Sequence, residues 1–125
     1  MSLIIEILKG TWFKAERKER SVEIKNSDKV RNFVEFIDET SVKIIANSIL
    51  VGRSSDNNLV LDDIQVSRVH CKIFSQGIFF KKWFVTDLSA NGTFLNDFQL
   101  KKGNDYPIKK GDKLLLGETM LCFDL

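Results

Sequence analysis

Residues 70–95 read HCKIFSQGIFFKKWFVTDLSANGTFL and decide the fold class. Runs of Val, Ile, Leu and Phe alternate here with clusters of Gly, Asn, Asp and Ser, which is typical of short β-strands joined by tight turns. Trp83 and Val85 alternate with Phe84 and Thr86, so a strand can bury one face and expose the other. The stretch therefore predicts strands rather than helices.

The same rhythm continues on both sides of this stretch. Many short strands at this spacing are typical of a β-sandwich or a β-barrel. Residues 30–37 fit a strand by alternation and a short helix by apolar spacing, and both alternatives stay open. The single proline, Pro107, is expected at a loop or a strand edge. The predicted strands span residues 3–8, 42–46, 49–52, 58–61, 70–74, 79–87, 92–95, 98–100, 113–116 and 120–125.

Length and composition favour one folded domain. The chain has 125 residues, of which 43% are hydrophobic and 29% charged. A formal charge of +2 predicts no bulk attraction to nucleic acid or to a membrane surface, and no apolar run is long enough for a signal peptide or a membrane span. Residues 14–31 hold seven basic and four acidic side chains and are predicted to form a charged insertion. We therefore expect a soluble, intracellular domain.

The sequence offers little for catalysis or for metal binding. Cys71 and Cys122 lie in apolar segments and are expected to be buried free thiols, and a single histidine excludes every two-histidine metal site. P-loop, dinucleotide-binding and common hydrolase motifs do not occur. A triad of Ser67, His70 and Asp87 would place its nucleophile three residues before its base, without an elbow motif. We therefore expect a protein that is not an enzyme and needs no metal or cofactor.

Polar residues that a β-core does not require are concentrated in three loops. Each loop precedes or follows a predicted strand, and Greek-key sandwiches bring such loops together at one end. Arg53 and Arg68 offer forks of N–H donors that suit a phosphate or a carboxylate, and the Ser67 hydroxyl can donate to the same oxygens. Together the loops predict a composite anion-binding site. They span residues 52–55, 66–70 and 87–96.

These loops also carry a set of motifs in a characteristic order. GR at residues 52–53, SRVH at 67–70 and NGTFLN at 91–96 are followed by GD at 111–112 and LG at 116–117. In this order and spacing they resemble the signature of the forkhead-associated (FHA) domain. The resemblance implies an all-β sandwich of two antiparallel sheets with about eleven strands, whose binding loops cluster at one end. It implies one FHA domain over residues 1–125, most clearly matched over 46–125.

The resemblance also implies roles for individual residues. Arg53, Ser67 and Arg68 would bind a phosphate, while Asn91 and Ala90 would lie against the main chain of a bound peptide. Some family members carry Thr or Ser at the position of Ala90, so a side-chain hydrogen bond is not available there. The residues implied to structure the loops are Gly52, His70, Gly92, Thr93 and Asn96.

Gln65 is the candidate for peptide specificity by the same resemblance, because it lies two residues before Ser67. The implied function is a phosphothreonine-dependent interaction module in signalling, within a larger protein such as a checkpoint-type Ser/Thr kinase or a nuclear regulatory factor. An intracellular, nuclear location follows from that context. The alternative is an FHA-fold scaffold or dimerisation module with a dormant phosphate site. The oligomeric state stays open.

Overall fold

The computed structural model describes residues 2–12 and 33–125. The predicted charged insertion at 14–31 lies outside these residues. The described chain forms twelve strands: β1 (Leu3–Lys9), β2 (Val34–Phe36), β3 (Ser41–Ile44), β4 (Ser48–Gly52), β5 (Leu59–Val60), β6 (Cys71–Gln76), β7 (Lys82–Asp87), β8 (Thr93–Leu95), β9 (Phe98–Gln99), β10 (Asp105–Ile108), β11 (Lys113–Leu116) and β12 (Thr119–Asp124).

The strands form two sheets. One has seven strands in the order β2-β3-β1-β12-β11-β8-β9, and the other has five in the order β10-β7-β6-β4-β5. The pairs are antiparallel except for β4 and β5, which run parallel. A single core cluster contains residues of both sheets, such as Ile5 and Leu114 from the first and Ile73 and Val85 from the second. The predicted sandwich of two packed sheets is therefore confirmed.

Period-two alternation accounts for the way each strand contributes to the core. In β1, Leu3, Ile5 and Ile7 are buried while Glu6 is exposed. Alternating side chains of a strand point to opposite faces, so every second residue reaches the partner sheet. Residues 34–36, for which strand and helix were both open, form β2 at the edge of the seven-stranded sheet.

Two strand predictions require correction. The strand predicted for residues 79–87 begins only at Lys82, because the chain turns at Gly77 and leaves Phe79 and Phe80 exposed on the loop. Strand β10 was not predicted, because Pro107 interrupts its apolar pattern. It is an edge strand, which is where a sheet tolerates a residue without an N–H donor.

The topology sorts the loops to the two ends of the sandwich. Strand β6 starts directly after residues 67–70, and β7 ends directly before residues 88–92. Since β6 and β7 are antiparallel, these two loops share one end, and the turn at residues 77–81 lies at the opposite end. In the described part of the chain no helix is long and apolar enough to cross a membrane.

Candidate functional site

Backbone hydrogen bonds join the first loop of the site, residues 52–55, to the second loop, residues 66–70. Arg53 N–H donates to the Ser67 carbonyl at 3.0 Å, and Ser54 N–H donates to the Arg68 carbonyl at 3.1 Å. Strand β4 ends at Gly52, which is buried at this crossing. A Cβ atom there would overlap the carbonyl oxygen of Arg68, so only glycine allows the two loops to approach this closely.

Arg53 presents its guanidinium group at the surface of these loops. Its side chain is exposed, and its Nε–H donates to the Val66 carbonyl at 3.0 Å. Within residues 2–12 and 33–125, no carboxylate forms an ion pair with it. The bond to Val66 orients the group, while its Nη donors stay available for an anion.

The buried side chain of Asn57 also joins the first loop to the second. Sequence reasoning assigned this residue no role. Its side chain is 1% exposed, and Nδ2 donates to the carbonyl oxygens of Ser54 at 2.8 Å and Arg68 at 2.5 Å. These carbonyl oxygens belong to different loops, so one amide group ties them together. The Arg68 side chain itself is exposed.

Ser67 joins the second loop to the third. Its Oγ accepts a hydrogen bond from the Ala90 N–H at 3.1 Å, which leaves the hydroxyl proton free to be donated. Ser67 is half-buried, whereas Ala90 and Asn91 are both exposed. The phosphate-binding candidate Ser67 therefore lies beside the two residues predicted to contact a peptide main chain.

His70 lies behind these loops and is fully buried. Its Nδ1 accepts from the Ser67 N–H at 3.0 Å, so the ring proton must be on Nε2, which donates to the Gly92 carbonyl at 3.0 Å. Burial lowers the pKa of His70, and this outweighs the opposing effects of the Gly92 carbonyl and of the Asp87 and Asp63 carboxylates. The imidazole is thus held neutral, as this pair of contacts requires.

Asp87 organises the third loop, a role that sequence reasoning missed. Its Oδ1 accepts from the Ser89 N–H at 2.9 Å, the Ser89 hydroxyl at 2.6 Å and the Thr93 hydroxyl at 2.7 Å. Ser89 Oγ in turn accepts from the Gly92 N–H at 2.8 Å. Burial raises the pKa of Asp87, but the hydrogen bonds from Ser89 and Thr93 hold it below the usual value.

Gln65, the specificity candidate, lies at one side of this end. It is exposed, and its Nε2 donates to the Glu118 carboxylate at 2.8 Å. The Asp63 carboxylate accepts from the N–H groups of Gln65 and Glu118 and from the Thr119 hydroxyl at 2.7 Å. Burial raises the pKa of Asp63, but these hydrogen bonds lower it by more. The pKa therefore lies below the usual value, and the group stays ionised. Residue 65 is therefore braced against the β11–β12 turn.

Asn96 braces a different part of the molecule. It lies in the β8–β9 turn, where Asn96 and Asp97 have φ values of 50° and 69°. Its Nδ2 donates to Asp112 at 2.9 Å, and its Oδ1 accepts from the Lys113 N–H at 2.9 Å. Asn96 thus structures the turn at the far end of β8 from the site, whereas Gly92 and Thr93 structure the site itself.

Ser67 and His70 do not form a nucleophile–base pair. Both ring nitrogens of His70 are engaged with backbone groups, and the Ser67 hydroxyl bonds to Ala90 rather than to the imidazole. A nucleophile and its base must be within hydrogen-bond reach of each other. No cluster of three or more potential metal ligands occurs among the described residues.

Cys71 is buried and Cys122 is only half-buried, and both are free thiols.

The sandwich and its braced apical loops define a class of binding module, and comparison with known proteins identifies the family. The FHA domain family model matches residues 49–117, more than half of the chain. The chain is 35% identical over 91 residues to the probable serine/threonine-protein kinase fhkA of Dictyostelium discoideum. It is 31% identical over 83 residues to the FHA domain-containing protein FhaB of Mycolicibacterium smegmatis. The chain belongs to the FHA domain family.

These matches differ in how much of each protein they cover. The fhkA match covers 67% of this chain and 15% of the kinase, and the FhaB match covers 66% and 50%. The chain therefore spans half or less of the length of these relatives. The solved MEK1 FHA domain in complex with a HOP1 phosphothreonine peptide has 31% identity and a TM-score of 0.63, over 74% of this chain and 94% of that one.

Proposed function

We propose that this domain binds phosphothreonine in partner proteins through Arg53, Ser67 and Arg68, with Asn91 and Ala90 against the peptide main chain. The observation that carries the proposal is the position of the Arg53 guanidinium. It is exposed, oriented by the Val66 carbonyl and without an ion pair in the described chain. A rigid cation of this kind is matched to a phosphate.

The loop network supports a preformed site. The loop carrying Arg53 is bonded to the loop carrying Ser67, and Ser67 is bonded to the loop carrying Asn91. Since these groups are already ordered, little entropy is lost when a peptide binds. The 31% identical MEK1 domain, solved with a phosphothreonine peptide, supports the same ligand class here.

The magnitude of the interaction follows from the charges. A phosphothreonine brings about −1.5 to −2 charges and three acceptor oxygens. Charge-assisted hydrogen bonds contribute roughly 1.5 to 3 kcal/mol each. Two or three of them with the peptide contacts, less the ordering costs, leave about −7 to −8 kcal/mol, which corresponds to a Kd on the order of 1 μM. Binding is therefore reversible, as signalling requires.

Fluorescence anisotropy with an oriented peptide library tests the proposal. Phosphothreonine peptides should bind, phosphoserine versions roughly tenfold more weakly, and unmodified versions not measurably. Arg53→Ala should weaken binding about 10- to 100-fold, because it removes charge-assisted bonds. Lys109→Ala is the matched control, since it removes an exposed cation at the opposite end of the sandwich. Equal binding of modified and unmodified peptides would contradict the proposal.

The proposal extends to the whole protein in outline. The domain acts by recognition without catalysis, and the parent protein is a signalling protein such as a Ser/Thr kinase, the class to which the fhkA relative is assigned. If Arg53→Ala left partner binding intact, the scaffold alternative would replace this proposal. An intracellular, nuclear location stays a prediction from the family resemblance, and imaging of the tagged full-length protein tests it.

A further inference from the structure

The turn between β6 and β7 carries a contiguous group of exposed apolar side chains. Ile78, Phe79 and Phe80 are 91%, 91% and 84% exposed. They follow one another in sequence, and we refer to them as the apolar tip. Single exposed apolar residues are common, but three successive large ones are costly in water and indicate a surface that is covered by something else.

The apolar tip lies at the apex of the β6–β7 hairpin. Gly77 has a φ of +120°, and a Cβ there would overlap the Phe80 carbonyl oxygen, so the turn closes tightly only with glycine. Below the turn, Phe74 and Phe84 stack across the strands with ring centroids 5.5 Å apart. The hairpin therefore projects the tip away from the core.

Two lysines lie directly beside the tip in the chain. Lys81 and Lys82 follow it directly, and residues 76–82 contain no acidic side chain. Lys81 Nζ donates to the Asn47 side-chain oxygen at 2.9 Å rather than to a carboxylate. Lys109 lies at the same end of the sandwich, because it follows Ile108 in the register that pairs β10 with the start of β7.

We propose that the apolar tip inserts into the surface of an anionic lipid bilayer, with Lys81 and Lys82 at the level of the headgroups. A convex knob of Ile and Phe needs a partner that deforms around it, and the acyl boundary of a bilayer does so without a preformed pocket. Lysines beside the knob add attraction to anionic lipid. The charge of +2 argues only against attraction by the whole surface, whereas this arrangement is local.

The topology allows the apolar tip and the proposed phosphopeptide site to be occupied at the same time, and neither surface requires the other. The tip lies at the end of the sandwich opposite the loops that carry Arg53, Ser67 and Asn91. A domain docked by its tip would present those loops to the aqueous side. Membrane docking and peptide binding should therefore vary independently.

Vesicle sedimentation tests the inference. The full chain should sediment with vesicles of phosphatidylcholine and phosphatidylserine, and much less with phosphatidylcholine alone. The triple change Ile78→Ser, Phe79→Ser and Phe80→Ser should weaken partitioning at least tenfold. The pair Lys81→Gln and Lys82→Gln should weaken it roughly fivefold per lysine on the mixed vesicles only. Ile64→Ser is the matched control, because Ile64 is 90% exposed at the other end.

Far-UV circular dichroism and thermal unfolding of the triple variant confirm that it is folded, and this readout is independent of phosphopeptide binding. Failure of the wild-type chain to bind the mixed vesicles would overturn the inference. The inference would also be overturned if the wild-type chain did not bind vesicles and the triple change removed self-association or binding to a soluble protein. Those outcomes would assign the tip to a protein partner.

Discussion

His70 connects Ser67 to Gly92 through its two ring nitrogens, with a distance of 3.0 Å on each side. Ser67 belongs to the loop before β6, and Gly92 belongs to the loop after β7. The buried ring therefore sets the spacing between the Ser67 hydroxyl, for which we propose phosphate binding, and the loop for which we propose peptide binding. Its position explains how a residue without access to the ligand can control the site.

Replacing His70 should lower both the stability of the domain and its affinity for a phosphopeptide. In His70→Ala the Ser67 N–H and the Gly92 carbonyl lose their partners, and a cavity remains where the ring was. We expect a loss of about 2 to 4 kcal/mol of unfolding free energy, measured by urea denaturation. Phosphopeptide affinity should fall as well. Arg53→Ala is the comparison, since it should weaken binding at almost constant stability. An unchanged urea midpoint for His70→Ala would refute this role.

Asp87→Asn tests the brace of the third loop. The substituted oxygen can still accept, but without the negative charge its bonds to the Ser89 and Thr93 hydroxyls weaken, so we expect a loss of about 1 to 3 kcal/mol. Thermal unfolding monitored by circular dichroism measures it. Asp62→Asn provides the control, because Asp62 is exposed. Equal shifts in Tm for the two variants would contradict the assignment.

The pH dependence of stability should follow three lowered pKa values. The pKa of His70 is below its usual 6.5, so below about pH 6.5 the unfolded chain binds a proton that the folded protein does not. Unfolding free energy therefore falls as the pH drops through this region. Lowered pKa values at Asp63 and Asp87 add a second fall below their usual 3.8. Denaturant titrations at a series of pH values measure both steps, and stability that rises on acidification would oppose the prediction.

Much of the fold was accessible from sequence because strand signals are local. Alternation along residues 82–87 and turn-forming clusters at their ends suffice to place β7 and its neighbours. The pattern failed at Phe79 and Phe80, because apolar character alone does not distinguish a buried strand residue from an exposed loop residue. It missed β10 because a proline weakens the strand signal even where an edge position accepts it.

The site was accessible only in part, for a related reason. The exposed Arg53 and the half-buried Ser67 stand out in the sequence as polar residues that a β-core does not need. Asn57 bonds to groups 3 and 11 positions away in sequence, and Asp87 bonds to groups 2 and 6 positions away. Polar residues next to turns are common whether or not they make such contacts, so the sequence does not single these two out. Their burial, at 1% and 2% exposure, is what reveals them, and it exists only in the folded chain.

Gly52→Ala should separate site geometry from general stability. The added methyl group would overlap the Arg68 carbonyl, so the two loops must move apart and Arg53 moves with them, at a cost of roughly 1 to 3 kcal/mol. Gly111→Ala is the matched variant, because its φ of +88° strains an alanine by about 1 to 2 kcal/mol while nothing lies within 4 Å of the new atom. Both changes should lower Tm, but only Gly52→Ala should weaken phosphopeptide binding, by more than tenfold in anisotropy titrations. Equal affinities for the two variants would show that the close approach of the loops at residue 52 does not position the arginine.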